Sequence, residues 1–173
     1  MSSKSLLTVV DEEDNVINHL SWDKVHEEDG LLHRAVTVLL FNNCGELLMQ
    51  KRSEQKRLWP SYLDLSVATH VFADESYESA ARRRLREELG IDGVVDLEKL
   101  FVFRYHSQYR DVGSEREMCA VFRTNYDGKV SPNPEEISEY NFASIVELRS
   151  DVRKSSGNYT PWFLEVFKTY IEK

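Results

Sequence analysis

The chain has 173 residues, 41% of them hydrophobic and 30% charged, which fits one globular domain over residues 1–173 and excludes a disordered chain. Asp and Glu outnumber Lys and Arg by 30 to 22, a net charge of −8, which argues against a general nucleic-acid binder but leaves room for a local basic pocket. The longest nearly apolar run, Ala35 to Phe41, is far too short to span a bilayer, and two cysteines, Cys44 and Cys119, cannot build a disulfide framework. The first ten residues, MSSKSLLTVV, lack the apolar stretch and cleavage site of a signal peptide, so a reducing, cytoplasmic setting is expected.

In chain order, Leu6–Val10 and Val16–Leu20 read as two strands around a polar turn, Asp11 to Asn15. The β-branched run from His33 to Phe41 predicts a buried strand. Asn42-Asn43-Cys44-Gly45 then supplies a turn, with Glu46–Lys51 returning as its hairpin partner. Ser76 to Leu89 is the clearest helix: Ser76 caps its start, Ala80, Ala81, Leu85 and Leu89 share a side, and Gly90 stands at the C-terminal cap. Strands follow near Lys99–His106, Glu115–Arg123 and Tyr140–Phe142. Two C-terminal helical segments close the chain, the second from Pro161 to Ile171 with proline at its first position. The class is α+β, with helices packed against a mixed sheet.

The charges of the long helix are unevenly placed. Arg84, Glu87 and Glu88 fall within about a third of its circumference. On composition alone that is an ordinary surface Arg–Glu pairing, worth tenths of a kcal/mol. The order of residues says more. Glu75, Arg83, Leu85, Glu87, Glu88, Gly90 and Ile91 match the Nudix signature, Gly-x5-Glu-x7-Arg-Glu-U-x-Glu-Glu-x-Gly-U with U bulky and aliphatic, at the correct spacing. Thr69 stands in place of its first glycine and Arg84 in place of the first glutamate of its Arg-Glu pair. The chain therefore resembles the Nudix superfamily, which implies the Nudix fold, a mixed β-sheet packed between α-helices. In Nudix hydrolases the glutamate replaced by Arg84 helps to bind metal and to activate water. An arginine does neither, but its fork of donors suits a phosphate.

Three histidines and two glutamates extend the resemblance. His26, His33 and His70, with Glu115 and Glu117 on one face of a predicted strand, make a plausible six-coordinate divalent site with one position open. They follow the pattern of the type I isopentenyl-diphosphate isomerases, which are built on the Nudix fold; His19 and His106 have no counterpart there.

The resemblance spans roughly His26 to Trp162 and implies a role for each matching residue. Arg52, Lys56 and Arg84 hold a substrate diphosphate, and Glu88 holds a Mg²⁺ bridging to it. Glu117 binds the metal and transfers a proton, with Tyr105 beside the double bond. Trp162 faces the carbocation, in keeping with the affinity of an indole face for a cation. The His/Glu site takes a second divalent metal, Mn²⁺, Zn²⁺ or Mg²⁺.

One departure is serious. Ala68-Thr69-His70 stands where the isomerases carry Cys-Gly-His, and Ala68 has no titratable atom to serve as the acid/base on the second face of the alkene. Losing such a group costs about 10²–10⁴-fold in rate. The Thr69 hydroxyl or a water near Ala68 is the available substitute. Cys119 projects to the same face as Glu117 and reads as a small buried residue, and Cys44 lies in a turn.

The reading is therefore an isopentenyl-diphosphate-isomerase-like metalloenzyme that binds a small organic diphosphate, a prenyl diphosphate first among them. Its alternative is a Nudix hydrolase of a prenyl or nucleoside diphosphate that uses Glu87 and Glu88 for Mg²⁺. A further alternative is a non-catalytic diphosphate-binding module. The expected partner is a small-molecule diphosphate, without nucleic acid or membrane, and the sequence leaves oligomeric state open.

Overall fold

The computed structural model describes residues 6–93 and 95–173, so the first half of the N-terminal stretch read above lies outside the described residues. Strands β1 (Leu6–Val10) and β2 (Val16–Ser21) form the expected hairpin. Asp11 closes its turn by accepting the N–H groups of Glu13 at 3.0 Å and Asn15 at 2.9 Å. A single helical turn not foreseen from sequence, α1 (Trp22–His26), follows and buries Val25 and His26.

The centre of the molecule is β3 (His33–Phe41), whose residues are nearly all buried. The next strand, β4 (Leu47–Arg52), returns antiparallel across the expected turn, but the hairpin is shorter than expected: the two strands pair only at Phe41↔Leu47. A strand buried on both faces needs a ladder on each edge, and both edges of β3 are taken elsewhere. On one edge β8 (Gly113–Asn125) runs parallel, from His33↔Glu117 to Phe41↔Asn125. On the other, β6 (Val67–His70) runs antiparallel, from Ala35↔His70 to Val38↔Val67. In turn β4 pairs with β5 (Leu63–Asp64) and with β9 (Ile137–Ala143). The buried Ser66 hydroxyl bridges the fork: it accepts the Leu40 N–H at 2.9 Å and donates to the Leu48 carbonyl at 2.7 Å. The long strand β7 (Glu98–Tyr109) completes the sheet as the antiparallel neighbour of β8.

Helices cover both faces, as expected. On one side α2 (Tyr77–Leu89) buries Ala80, Ala81, Leu85 and Leu89 against Val36, Val38, Val67, Ala120 and Phe122. Its ends are those read from the sequence: Ser76 accepts the Ser79 N–H, and Gly90 takes a left-handed φ of 65°. On the other side α3 (Ile145–Ser155) and α4 (Pro161–Val166) pack Leu148, Val152, Phe163 and Val166 onto Leu39, Leu47, Leu65 and Val121. The final segment is a widened turn, Phe167–Ile171, continuing α4. Among the described residues no helix is long and apolar enough to cross a membrane.

One glycine fixes how closely α1 approaches the sheet. A Cβ on Gly113 would stand 2.8 Å from the backbone oxygen of His26, so α1 can reach the start of β8 only because that atom is missing. Gly113→Ala is expected to lower stability by about 1–3 kcal/mol, read as a shift in the urea midpoint.

Candidate metal centre and cavity

Four elements converge at one end of the sheet. α1 contributes His26, β3 begins with His33, β6 ends with His70, and β8 carries Glu115 and Glu117. The β3–β8 register sets His33 opposite Glu117, and period-2 alternation turns both glutamates to the same face. One ligand atom from each of His26, His33, His70 and Glu115 lies within 4.8 Å of all the others. Glu115 Oε2 is 3.0 Å from His26 Nε2, 3.4 Å from His70 Nε2 and 3.6 Å from His33 Nε2. Glu117 Oε1 stands 3.4 Å from His70 Nε2 and 3.8 Å from His33 Nε2, so all five predicted ligands are brought together. His19 and His106 are exposed and lie apart from the cluster.

The donor set fits a divalent cation. His26 Nδ1–H donates to the Trp22 carbonyl at 2.7 Å and His33 Nδ1–H to the Leu31 carbonyl at 2.8 Å, which leaves each Nε2 as the inward donor atom. His33 Nε2 is buried and has no hydrogen-bond partner, a costly state that a cation would relieve. Without one, the cluster holds charge of its own. Burial opposes the charged form of His70, but the Glu115 and Glu117 carboxylates outweigh it and push its pKa up to about 9. Burial likewise opposes the charged form of Glu115, but the His70 charge and the imidazoles packed around it hold it well below the usual carboxylate range.

Beside this cluster opens a cavity of about 360 Å³. Its anion-seeking end is lined by Lys56 and Arg84, with Arg52 and Arg57 close by. Each cation already has an internal partner. Lys56 pairs with Glu136, and Arg84 pairs with Glu88 and, at 2.9 Å, with Glu136. Arg52 donates to the carbonyls of Trp59 and Leu58 at 2.9 Å each and to Asp64 at 3.2 Å. Glu88 is buried, bound by Arg84 with Gln50 3.5 Å away, and does not line the cavity. Glu87 lies between Arg83 at 3.1 Å and Arg84 at 3.3 Å. The carboxylates assigned to Mg²⁺ are thus taken up by arginines, and they offer no open donor set like that of the histidine cluster. The signature residue Arg83 ties the helix to its loop through Glu75 at 2.6 Å and the His70 carbonyl at 3.1 Å.

The other end of the cavity is aromatic. Trp162 packs with Leu58, Trp59, Tyr105 and Ala68, and its indole N–H donates to Asp64 at 2.7 Å. Asp64 also accepts from Thr160 at 3.0 Å and from the Leu65 N–H at 2.8 Å. Tyr105 donates its hydroxyl to Glu117 Oε2 at 2.7 Å; burial and that neighbouring charge keep the phenol protonated, with its pKa well above 10. Cys119 is buried as expected, but it also lines the cavity, and burial pushes its thiol pKa up.

The register separates Ala68 and Thr69. Ala68 pairs with Thr37 on the cavity face, whereas Thr69 pairs with Val36, a residue of the core under α2. Alternation turns the Thr69 side chain to the other sheet face from Ala68, although both residues line the cavity.

Sequence reasoning missed Asp64 and Glu136. Asp64 could have been found as a lone acid inside the apolar run Leu63–Leu65. Glu136 left no signal, since its partners Lys56 and Arg84 are remote in sequence.

Comparison with known proteins gives a consistent picture. The model of the NUDIX domain matches residues 31–163. The chain is 34% identical over 157 residues to isopentenyl-diphosphate Delta-isomerase 1 of Photorhabdus laumondii, covering 91% of this chain and 89% of that one. It is 36% identical to the isopentenyl-diphosphate Delta-isomerase of Haloarcula marismortui, covering 88% and 82%. Among solved structures, DR0079 from Deinococcus radiodurans superposes with a TM-score of 0.75 at 27% identity, over 95% of this chain and 99% of that one.

The metal-free protein is expected to bind one equivalent of Mn²⁺ or Zn²⁺ in a calorimetric titration, with His33→Ala weakening affinity by more than about tenfold. Because His70 must lose its proton to ligate, affinity should rise with pH up to about 9 and level off above it.

Proposed function

This chain belongs to the NUDIX family, and from that premise we propose that it is an isopentenyl-diphosphate-isomerase-like metalloenzyme acting on a small prenyl diphosphate. One observation carries the reading. The Glu117 carboxylate, held by the Tyr105 hydroxyl at 2.7 Å, sits on the floor of the cavity that Trp162 and the Lys56–Arg84 pair also line. These three supply, on this reading, a proton carrier, a cation-tolerant aromatic face and an anion seat around one small volume.

Moving the double bond of isopentenyl diphosphate protonates the terminal carbon and removes a proton from the carbon on the far side of a transient tertiary cation. Glu117 carries a proton in this reading, with one carboxylate oxygen held by the Tyr105 hydroxyl and the other turned toward His70. The Trp162 face stabilises the cation while its N–H is held by Asp64. Lys56, Arg84 and the remaining donors of Arg52 bind the diphosphate. A divalent ion on His26, His33, His70, Glu115 and Glu117 would supply electrostatic stabilisation of the anionic carboxylates. Glu88, now paired with Arg84, would help to hold a Mg²⁺ that would neutralise charge on the diphosphate.

A second reading, hydrolysis of a diphosphate bond, is favoured by Ala68, which offers no second acid/base on the cavity face. Against it stands the occupation of Glu87 and Glu88 by Arg83 and Arg84.

The test is proton and phosphorus NMR of the protein with isopentenyl diphosphate, Mg²⁺ and Mn²⁺ in D₂O. Deuterium appearing in dimethylallyl diphosphate is expected, with Glu117→Gln slower by about 10²–10⁴-fold and Ala68→Cys faster. Release of phosphate instead would transfer the protein to the hydrolases, and an unchanged spectrum would leave a binding module.

A further inference from the structure

The anion seat contains its own anion. Glu136 precedes β9 and lines the cavity, and its carboxylate binds both side chains that would hold a phosphate, Lys56 and Arg84. Burial opposes the charge on Glu136, but Arg84 and Lys56 hold its pKa below the usual carboxylate range. The backbone holds the residue there. The Ser53 N–H donates to the Glu136 carbonyl at 2.9 Å, joining it to the segment that carries Lys56. Three residues earlier, the Asn133 N–H donates to the Glu88 carbonyl at 2.8 Å, joining the same loop to α2 and Arg84.

Charge at this end is balanced. The cations of Lys56 and Arg84 face the carboxylates of Glu88 and Glu136. An arriving anion must therefore replace Glu136 on the same donors. A single phosphate brings little more charge than the carboxylate it displaces, and it then lies beside that carboxylate. A diphosphate brings further charge and oxygens enough to engage both cations at once.

We propose that Glu136 is a specificity-determining residue, an internal counter-anion that sets the threshold for ligands of the seat and so favours diphosphates over monophosphates. This rests on the reading of Lys56 and Arg84 as the diphosphate seat.

The probes are methylenediphosphonate and inorganic phosphate, titrated by calorimetry at one fixed Mg²⁺ concentration into the wild-type protein, Glu136→Gln and Glu136→Ala. Glu139→Gln, which removes an equal charge from an exposed pair with Lys51, is the control for net charge. Wild-type protein should bind the diphosphonate and discriminate against phosphate. Both Glu136 variants should bind phosphate roughly tenfold more tightly, narrowing the ratio between the two ligands, while the control keeps it. Diphosphonate binding with an unchanged ratio in both variants overturns the proposal and leaves the seat intact, as does weaker binding of both ligands. Absence of diphosphonate binding to the wild-type protein overturns the seat itself. A Glu136→Gln variant that fails to fold leaves Glu136→Ala to decide.

Discussion

The parallel register between β3 and β8 is the constraint on which the site depends. It sets His33 beside Glu117 and, through β6, places His70 and Ala68 on the same face; through β7 it does so for Tyr105. A slip of one residue would turn Glu115 and Glu117 into the core under α2 and bring Arg116 and Met118 to the cavity. Such a slip is resisted by the core itself. Val36, Val38, Ala120 and Phe122 occupy the alternate positions, so the burial of one face specifies the chemistry of the other.

Electrostatics divide the cavity along its length. At the histidine end, three imidazoles and two carboxylates crowd a volume that water barely reaches, and His33 Nε2 is left unpartnered. At the basic end each cation is matched by a carboxylate of the chain, Arg52 by Asp64 and Arg57 by Asp23 as well as the pairs on Glu136 and Glu88. A protein of net charge −8 thus keeps a basic pocket without a strong local field, because the counter-anions travel with the cations.

Much of this was legible in the sequence, for reasons that differ by residue. The ends of α2 were readable because Ser76 and Gly90 each perform a local backbone task. The site residues were readable because the Nudix spacing and the His/Glu pattern lie on elements whose periodicity fixes their faces. The partnership of β4 was not readable. A turn signal at Asn42–Gly45 announces a hairpin, but whether its strands stay paired depends on β6, β8 and β9 competing for the same edges. Short α1 escaped notice because five residues carry no helical period. The occupation of Glu88 by Arg84 was foreseeable as an i,i+4 pair, whereas the contact of both cations with Glu136 depends on a loop remote in sequence.

Asp64 joins the two ends of the cavity. It is fully buried, and burial raises its pKa against the opposing influence of Arg52 and the hydrogen bonds it accepts. One oxygen takes the indole N–H of Trp162 and the other the guanidinium of Arg52, whose charged carbon lies 5.1 Å from the Trp162 ring. A group at the anion end and the aromatic face at the other end are therefore referred to a single rigid carboxylate rather than to separate loops. A prenyl diphosphate has its reacting carbons at a fixed reach from its phosphates, so a site that acts on it must hold that spacing within a fraction of an ångström. The Asp64 network supplies such a spacer. Ala68, which carries no titratable group, leaves this frame undisturbed: it packs with Trp162 and takes no part in the Asp64 hydrogen bonds.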